Sequence, residues 1–273
     1  MTNEIKVGDS GFVRYVDHMG GDEAIVQAAR ISYGKGTKSV SADEQLIRYL
    51  MRNQHTSPLE MAEIKLHIRM PLYVYVQFGR HRTASINMYS QRYSEAIEAM
   101  EGTTIWRSQS TQNKQGSGET LSEEACLELS NEEKELHQTL ERVYKKRLEM
   151  GVAREQARKD LPLSNYTELY WKIDLNNLFK FLKLRLDYHA QQEIREFAVA
   201  IHDIAKQYFP IAFKAFHDYE IDSVKLTAGE LRVLKSLIGP LDSIRLWEAI
   251  QLWGDPMSKS ELNEFKHKLG LGD

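Results

Sequence analysis

The chain has 273 residues, 42% of them hydrophobic and 27% charged, with a formal net charge of −3. That balance excludes a disordered tail and a fibrous repeat, and it lacks the basic excess of a protein built to coat nucleic acid. A single cysteine, Cys126, excludes an internal disulfide and a thiolate zinc cluster, and the longest apolar stretch, 70–79, is too short to span a bilayer.

The N-terminal run MTNEIKVGDSG has neither an apolar core nor a cleavage pattern, so the expected location is cytoplasmic. Phe12 to Val16 alternates and reads as a strand, followed by a Gly20-Gly21 turn. Asp22 is the expected cap of a helix to about Ser32, and Ser41 opens a second helix with Leu46, Ile47, Leu50 and Met51 at helical spacing. After a break at Ser57-Pro58, Glu63 to Met70 alternates as a strand, and Pro71 is expected at the first position of the next helix. Residues 109–120 read as a loop, and Ser122 to about Met150 as a long charged helix closed by Gly151. A short helix through Arg158 precedes Leu161-Pro162, then a strand from Tyr166 to Leu175 and helices near 176–187 and 190–207. The remaining residues read as helices broken at Gly239-Pro240 and Gly254-Asp255-Pro256. The whole is α+β, mixed helices with a small antiparallel-containing sheet.

Two segments carry chemistry. From Ile64 to Ser94 there is no acidic residue, while Lys65, Arg69, Arg80, Arg82 and Arg92 are cationic. Arginine forks match phosphate oxygens, and Ser90 and Gln91 add donors between them. Charge alone leaves this equally a basic face meeting carboxylates elsewhere, or a patch for nucleic acid. In the second segment Arg185, His189 and Glu193 are four apart and would share one face of a continuous helix. Leu182, Leu184 and Leu186 beside Arg185 suggest a partly buried guanidinium. Cys126 lies among Glu123, Glu124 and Glu128, a setting that disfavours the thiolate a nucleophile needs. No local pair of metal ligands, phosphate-binding glycine loop or serine elbow is present, and no metal is expected.

Arg80, His81 and Arg82, followed after seven residues by Ser90, form a pattern that resembles the signature of the flavin-dependent thymidylate synthases. HTSPLE (55–60), GVAREQARKDLP (151–162), YWKIDL (170–175) and LRLDYHAQQEIR (184–195) occur in that family's order, over roughly residues 10–217. The resemblance implies a catalytic domain over 1–220 with a helical extension over 221–273, and a homotetramer with FAD between subunits. It implies C5 methylation of dUMP from methylenetetrahydrofolate, with reducing equivalents from NADPH, and no cysteine nucleophile. By position, Ser57, Arg80, His81, Arg82, Asn176, Lys180 and His189 would touch the flavin. Gln77, Arg80, Met88, Ser90, Gln91, Arg92, Arg158 and Arg185 would hold the nucleotide, with Arg185 favouring charge on the uracil. Neither nucleic acid nor membrane is an expected partner.

Phe78, Gly79, Met88, Asn176 and Lys180 depart from the family pattern and read as changes on the ligand side. Two further readings follow: a pocket retuned for another pyrimidine nucleotide such as UMP, or a nucleotide- or RNA-binding protein that has lost catalysis.

Overall fold

Alternation is the strongest local signal in the chain, and the strand it specifies is the centre of a five-stranded sheet. In the computed structural model, which describes residues 3–31, 40–111, 116–238, 248 and 259–269, β3 runs Glu63–Pro71. Ile64, Leu66, Ile68 and Met70 are buried, while Lys65, His67 and Arg69 point to the other face. β3 is flanked by β2 (Gly11–Met19) and β7 (Tyr166–Asp174), both antiparallel. With β1 (Glu4–Val7) outside β2 and β4 (Ser85–Met88) outside β7, the five-stranded order is β1-β2-β3-β7-β4. β2 carries a bulge between Tyr15 and Asp17, and neither β1 nor β4 had a readable pattern.

The buried face supports the helices. These are α1 (Asp22–Arg30), α2 (Val40–Arg52), α3 (Leu72–Phe78), α6 (Leu175–Arg185), α7 (Gln192–Ala205) and α8 (Pro210–Phe216). Their apolar faces and the sheet form one core in which Leu66, Trp171, Phe181, Ile201 and Phe216 are fully enclosed. Each such side chain contributes about 1.5–3 kcal/mol relative to exposure. A second cluster of Ala96, Tyr144 and Ala157 holds α4 (Glu123–Glu149) and the short α5 (Arg154–Ala157).

Several expectations change. Asp22 does not cap α1; Gly21 stands at the cap, and the buried Asp22 carboxylate accepts the N–H groups of Ile211 and Ala212 at the start of α8. A distant helix with unsatisfied donors therefore captured the carboxylate. Pro71 is the last residue of β3, paired with Tyr166 and extended at ψ 149°, so α3 begins one residue later. Residues 109–120 are not all loop. Arg107–Gln109 (β5) and Ser117–Thr120 (β6) pair as a separate two-stranded sheet, whose cross-strand bonds local composition does not display. α1 ends at Arg30, and Ser32 lies outside the described residues. The long helix closes as expected, with Gly151 at φ +78° after the Met150 cap.

The chain divides into two compact units, Met1–Ile221 and Asp222–Asp273. Within the second, α9 (Ala228–Ile238) begins where Thr227 and Glu230 exchange hydrogen bonds in a capping box, and α10 spans Lys259–Leu269. The breaks expected at 239–240 and 254–256 lie outside the described residues. No helix among the described residues is long and apolar enough to cross a membrane.

Candidate active site

The Arg-His-Arg motif is delivered by the end of α3. Gly79 N–H bonds Tyr75 O at 2.7 Å, then Arg80 and His81 N–H groups bond Gln77 and Phe78 carbonyls, tightening the chain into a turn. Phe78, fully buried against Trp171 and Phe181 at 4.9 and 5.3 Å, anchors that turn. Phe78 is therefore a core residue, enclosed by Trp171 and Phe181 where the sequence pattern had placed it on the ligand side. After the turn, Ser85 pairs with Lys172 and Met88 with Leu169, which places β4 on the sheet edge. Met88 is half-buried and packs on the core.

Arg185 and His81 meet. The half-buried Arg185 guanidinium donates through Nε to His81 Nε2 at 2.9 Å, and the imidazole packs edge-on against Phe181 at 4.8 Å. Burial, with the guanidinium second, lowers His81 to about 4. The ring is neutral at pH 7, its Nε2 is the acceptor, and the proton resides on Nδ1 as a donor for something else. Burial also lowers Arg185.

Arg185, His189 and Glu193 do not share a helix face. α6 stops at Arg185, and α7 starts at Gln192. His189 lies in the turn between them, exposed, with its backbone N–H and Nδ1 both 2.8 Å from an Asp187 carboxylate oxygen. Glu193 turns instead to Arg107. The i,i+4 spacing was real, but the helix it required was interrupted.

Thr56, Asn176 and Lys180 line one pocket of about 220 Å³, floored by Leu50, Met51, Leu59, Phe179 and Phe216. Ser57 is exposed at the start of the adjoining 3-10 turn, Ser57–Met61. Asn176 is buried and donates to Glu60 at 3.3 Å, while Lys180 is exposed. Arg82 and Ser85 border a polar hollow of about 230 Å³ with Lys172, Asp174 and Glu63. Lys172 is held there by both Glu63 oxygens at 2.9 and 3.0 Å.

At the other end of β4, Gln91 is buried and donates to Asn165 Oδ1 at 3.1 Å. Asn165 in turn donates to the carbonyls of Ile97 and Ala99. Ser90 Oγ accepts the Arg92 N–H at 3.4 Å, and Arg92 reaches Glu155 at 3.3 Å, both side chains exposed. Arg158 begins the 3-10 turn Arg158–Asp160 after α5. The Gln77 carboxamide oxygen is buried with no hydrogen-bond partner among the described residues. Among the described residues, Arg80, Arg82, Arg158 and Arg185 have no carboxylate within ion-pair distance.

Sequence reading missed Lys172, Thr56 and Arg107, because each gains its neighbours only through pairing or packing with distant segments. Cys126 is buried on α4, with its thiol toward the Leu121 and Trp106 carbonyls at 3.7 and 3.9 Å.

Comparison with known proteins gives the family. The family model Thy1, thymidylate synthase complementing protein, matches residues 14–211. A flavin-dependent thymidylate synthase of Thermus thermophilus is 51% identical over 237 residues, 86% of each chain. The enzyme of that description from Treponema denticola is 42% identical over 280 residues, covering 100% of this chain and 99% of its own length. Among solved structures, a UMP/dUMP methylase, PolB, from Streptomyces cacaoi bound with 5-Br dUMP superposes with a TM-score of 0.71 at 28% identity. That match covers 79% of this chain and 98% of PolB.

Proposed function

The chain belongs to the flavin-dependent thymidylate synthases, and from that premise we propose how its own residues carry out C5 methylation of dUMP to dTMP. The observation that carries the reading is the Arg185–His81 bond, with Arg80 and Arg82 on either side of His81 and, among the described residues, no carboxylate within ion-pair distance of these three arginines. Unpaired guanidinium groups in a chain of net charge −3 are suited to anionic ligands, and FAD and dUMP both bring phosphates.

The residues fit a flavin. Arg80 and Arg82 offer forks for its diphosphate, His81 offers Nδ1–H, and the pocket of Thr56, Asn176 and Lys180 has an apolar aromatic floor beneath polar rims. Ser57 and His189 complete the proposed flavin set. When bound, the flavin supplies the redox chemistry. NADPH is the proposed reductant and methylenetetrahydrofolate the proposed one-carbon donor. A homotetramer is the proposed assembly, checked by sedimentation.

On the nucleotide side, Arg158, Arg92, Arg80 and Ser90 bind phosphate and sugar, and Met88 packs beside them. Gln91 shapes this loop through Asn165, while the Gln77 oxygen supplies an acceptor to the ligand. Arg185 contacts the uracil and is the catalytic residue. Its cation stabilises negative charge developing on the ring, which raises electron density at C5. Neutral His81 holds the guanidinium by Nε and leaves the remaining N–H groups for the pyrimidine.

The test is tritium release from C5-labelled dUMP with FAD, NADPH and methylenetetrahydrofolate, with labelled UMP run in parallel. Release from dUMP is the expected result; release from UMP alone would transfer the site to the ribonucleotide and make Met88 the first residue to revert toward Glu.

A further inference from the structure

Arg107, on β5, reaches α7, and the reason lies in strand geometry. Successive side chains along extended chain point in opposite directions. Trp106 therefore faces α4, where its indole N–H donates to Ser130 Oγ at 3.1 Å and its carbonyl accepts Leu121 N–H at 2.8 Å. Arg107 faces the opposite way. Its Nη1 donates to Gln192 Oε1 at 2.7 Å and its Nη2 to the Glu193 carboxylate.

The ends of that contact differ in what they hold. One is the root of a hairpin fastened to a long helix. The other is the first turn of α7, joined to Arg185 by only the six residues 186–191. Within that turn Asp187 binds His189, and Arg195 donates to the Tyr188 carbonyl at 3.1 Å. All these braces are local, whereas Arg107 comes from 85 residues away in sequence.

The Arg107–Glu193 ion pair is four-fifths enclosed, each side chain being 22% exposed. Glu193 also faces Glu101, itself raised by burial and bonded to the Tyr73 hydroxyl. Asp9 and Glu133 face Glu101 in turn. Burial opposes ionisation of Glu193, yet hydrogen bonds from Arg107, its own backbone N–H and Gln191 keep its carboxyl below the usual range. Arg107 is thus the cation that allows a carboxylate to stay charged in an acidic corner at the start of a helix, where the helix dipole also favours it.

We propose that Arg107 is a positioning residue: by clamping Gln192 and Glu193 it sets the 186–191 turn and, through it, the Arg185 guanidinium. This rests on the catalytic reading of Arg185 above. It adds a second fastening to the one His81 provides, from the side of the molecule His81 does not reach.

The experiment compares the flavin-loaded enzyme with its Arg107→Ala and Arg107→Lys variants, well below their melting temperatures. Two readouts are taken: dUMP turnover, and amide hydrogen exchange over residues 186–193. Arg107→Ala is expected to speed exchange in that segment and to lower kcat by up to about 100-fold, with KM for dUMP changing less, as misplacement of a charge-stabilising group does. Arg107→Lys keeps the cation but cannot fork to both partners, so it should restore part of kcat. Should Arg107→Ala fail to fold, Glu193→Gln retains the Gln192 bond and should show a smaller loss of the same kind. Unchanged exchange, or faster exchange with kcat within about twofold of the parent, overturns the proposal. Arg185→Ala separates the two readings: if it is fully active the catalytic assignment fails, while exchange still reports whether Arg107 holds the turn.

Discussion

The arginines of this protein fall into two regions with opposite habits. Around α1, α2 and α8, guanidinium groups are matched. Arg30 meets Asp43 at 2.6 Å, the buried Arg48 meets Asp218 and stacks on the Tyr219 ring at 4.9 Å, and the neighbouring Lys214 meets Glu44 at 3.0 Å. Around the end of α3 and the end of α6, Arg80, Arg82 and Arg185 are left without carboxylates among the described residues, as is Arg158 after α5. A matched arginine ties elements together. An unmatched one, especially when half-buried like Arg185, retains the electrostatic cost of its burial until an anion arrives. The difference separates residues that serve the fold from residues that serve the ligand, in a way residue type alone does not.

That contrast can be broken by substitution. Arg185→Ala is expected to reduce dUMP turnover by about 10²–10³-fold, the usual consequence of removing one preorganised charge-stabilising donor. Its melting temperature should stay near that of the parent, since no ion pair is lost. Unchanged turnover would remove Arg185 from the chemistry. Arg48→Ala is the opposite case, because it deletes a charged hydrogen bond and a ring contact in the core. It should cost about 1.5–3 kcal/mol of stability in denaturant titration, with turnover of the remaining folded enzyme intact. A large kinetic effect without a stability effect would erase the distinction drawn here.

His81 sharpens the comparison through pH. Its folded value, about 4, lies below the ordinary histidine value, so the unfolded chain takes up the proton first. The stability tied to neutral His81 is complete above about pH 6.5 and declines as pH falls toward 4. Near pH 4 the ring protonates, Arg185 loses its acceptor, and turnover should show an acid limb. In Arg185→Ala the imidazole, followed by NMR, should titrate at a higher pH than in the parent; no upward movement would mean that the guanidinium does not act on it. The smallest effect is reserved for Cys126→Ala, which should be kinetically silent and cost about 1 kcal/mol or less. A folded but inactive variant would contradict a chemistry that uses no thiol nucleophile.

Much of the fold was readable locally. Alternation named β3, the aromatic β-branched run named β7, and Ser122 with Gly151 bounded α4 almost to the residue. These are features in which the residues responsible lie within a few positions of each other. β1 and β4 were not readable, because four-residue edge strands have too few alternations to show a period, and their pairing partners supply the order. For the site, the Arg-His-Arg motif and Arg185 were legible as chemistry and by resemblance. The bond between His81 and Arg185 was not, since 104 residues separate them.

By itself the amino-acid order determined the family, the α+β class, the long helix, the central strand and the concentration of positive charge in an acid-free window. Each follows from short-range periodicity, from composition or from motif spacing. Tertiary structure alone decided which cations found carboxylates, that Asp22 would serve α8 rather than α1, that Phe78 belongs to the core, and that Arg107 reaches across to α7. The reason is physical. Desolvation and pairing energies depend on what surrounds a group in space, and for all of these groups the decisive neighbour arrives from a distant part of the chain.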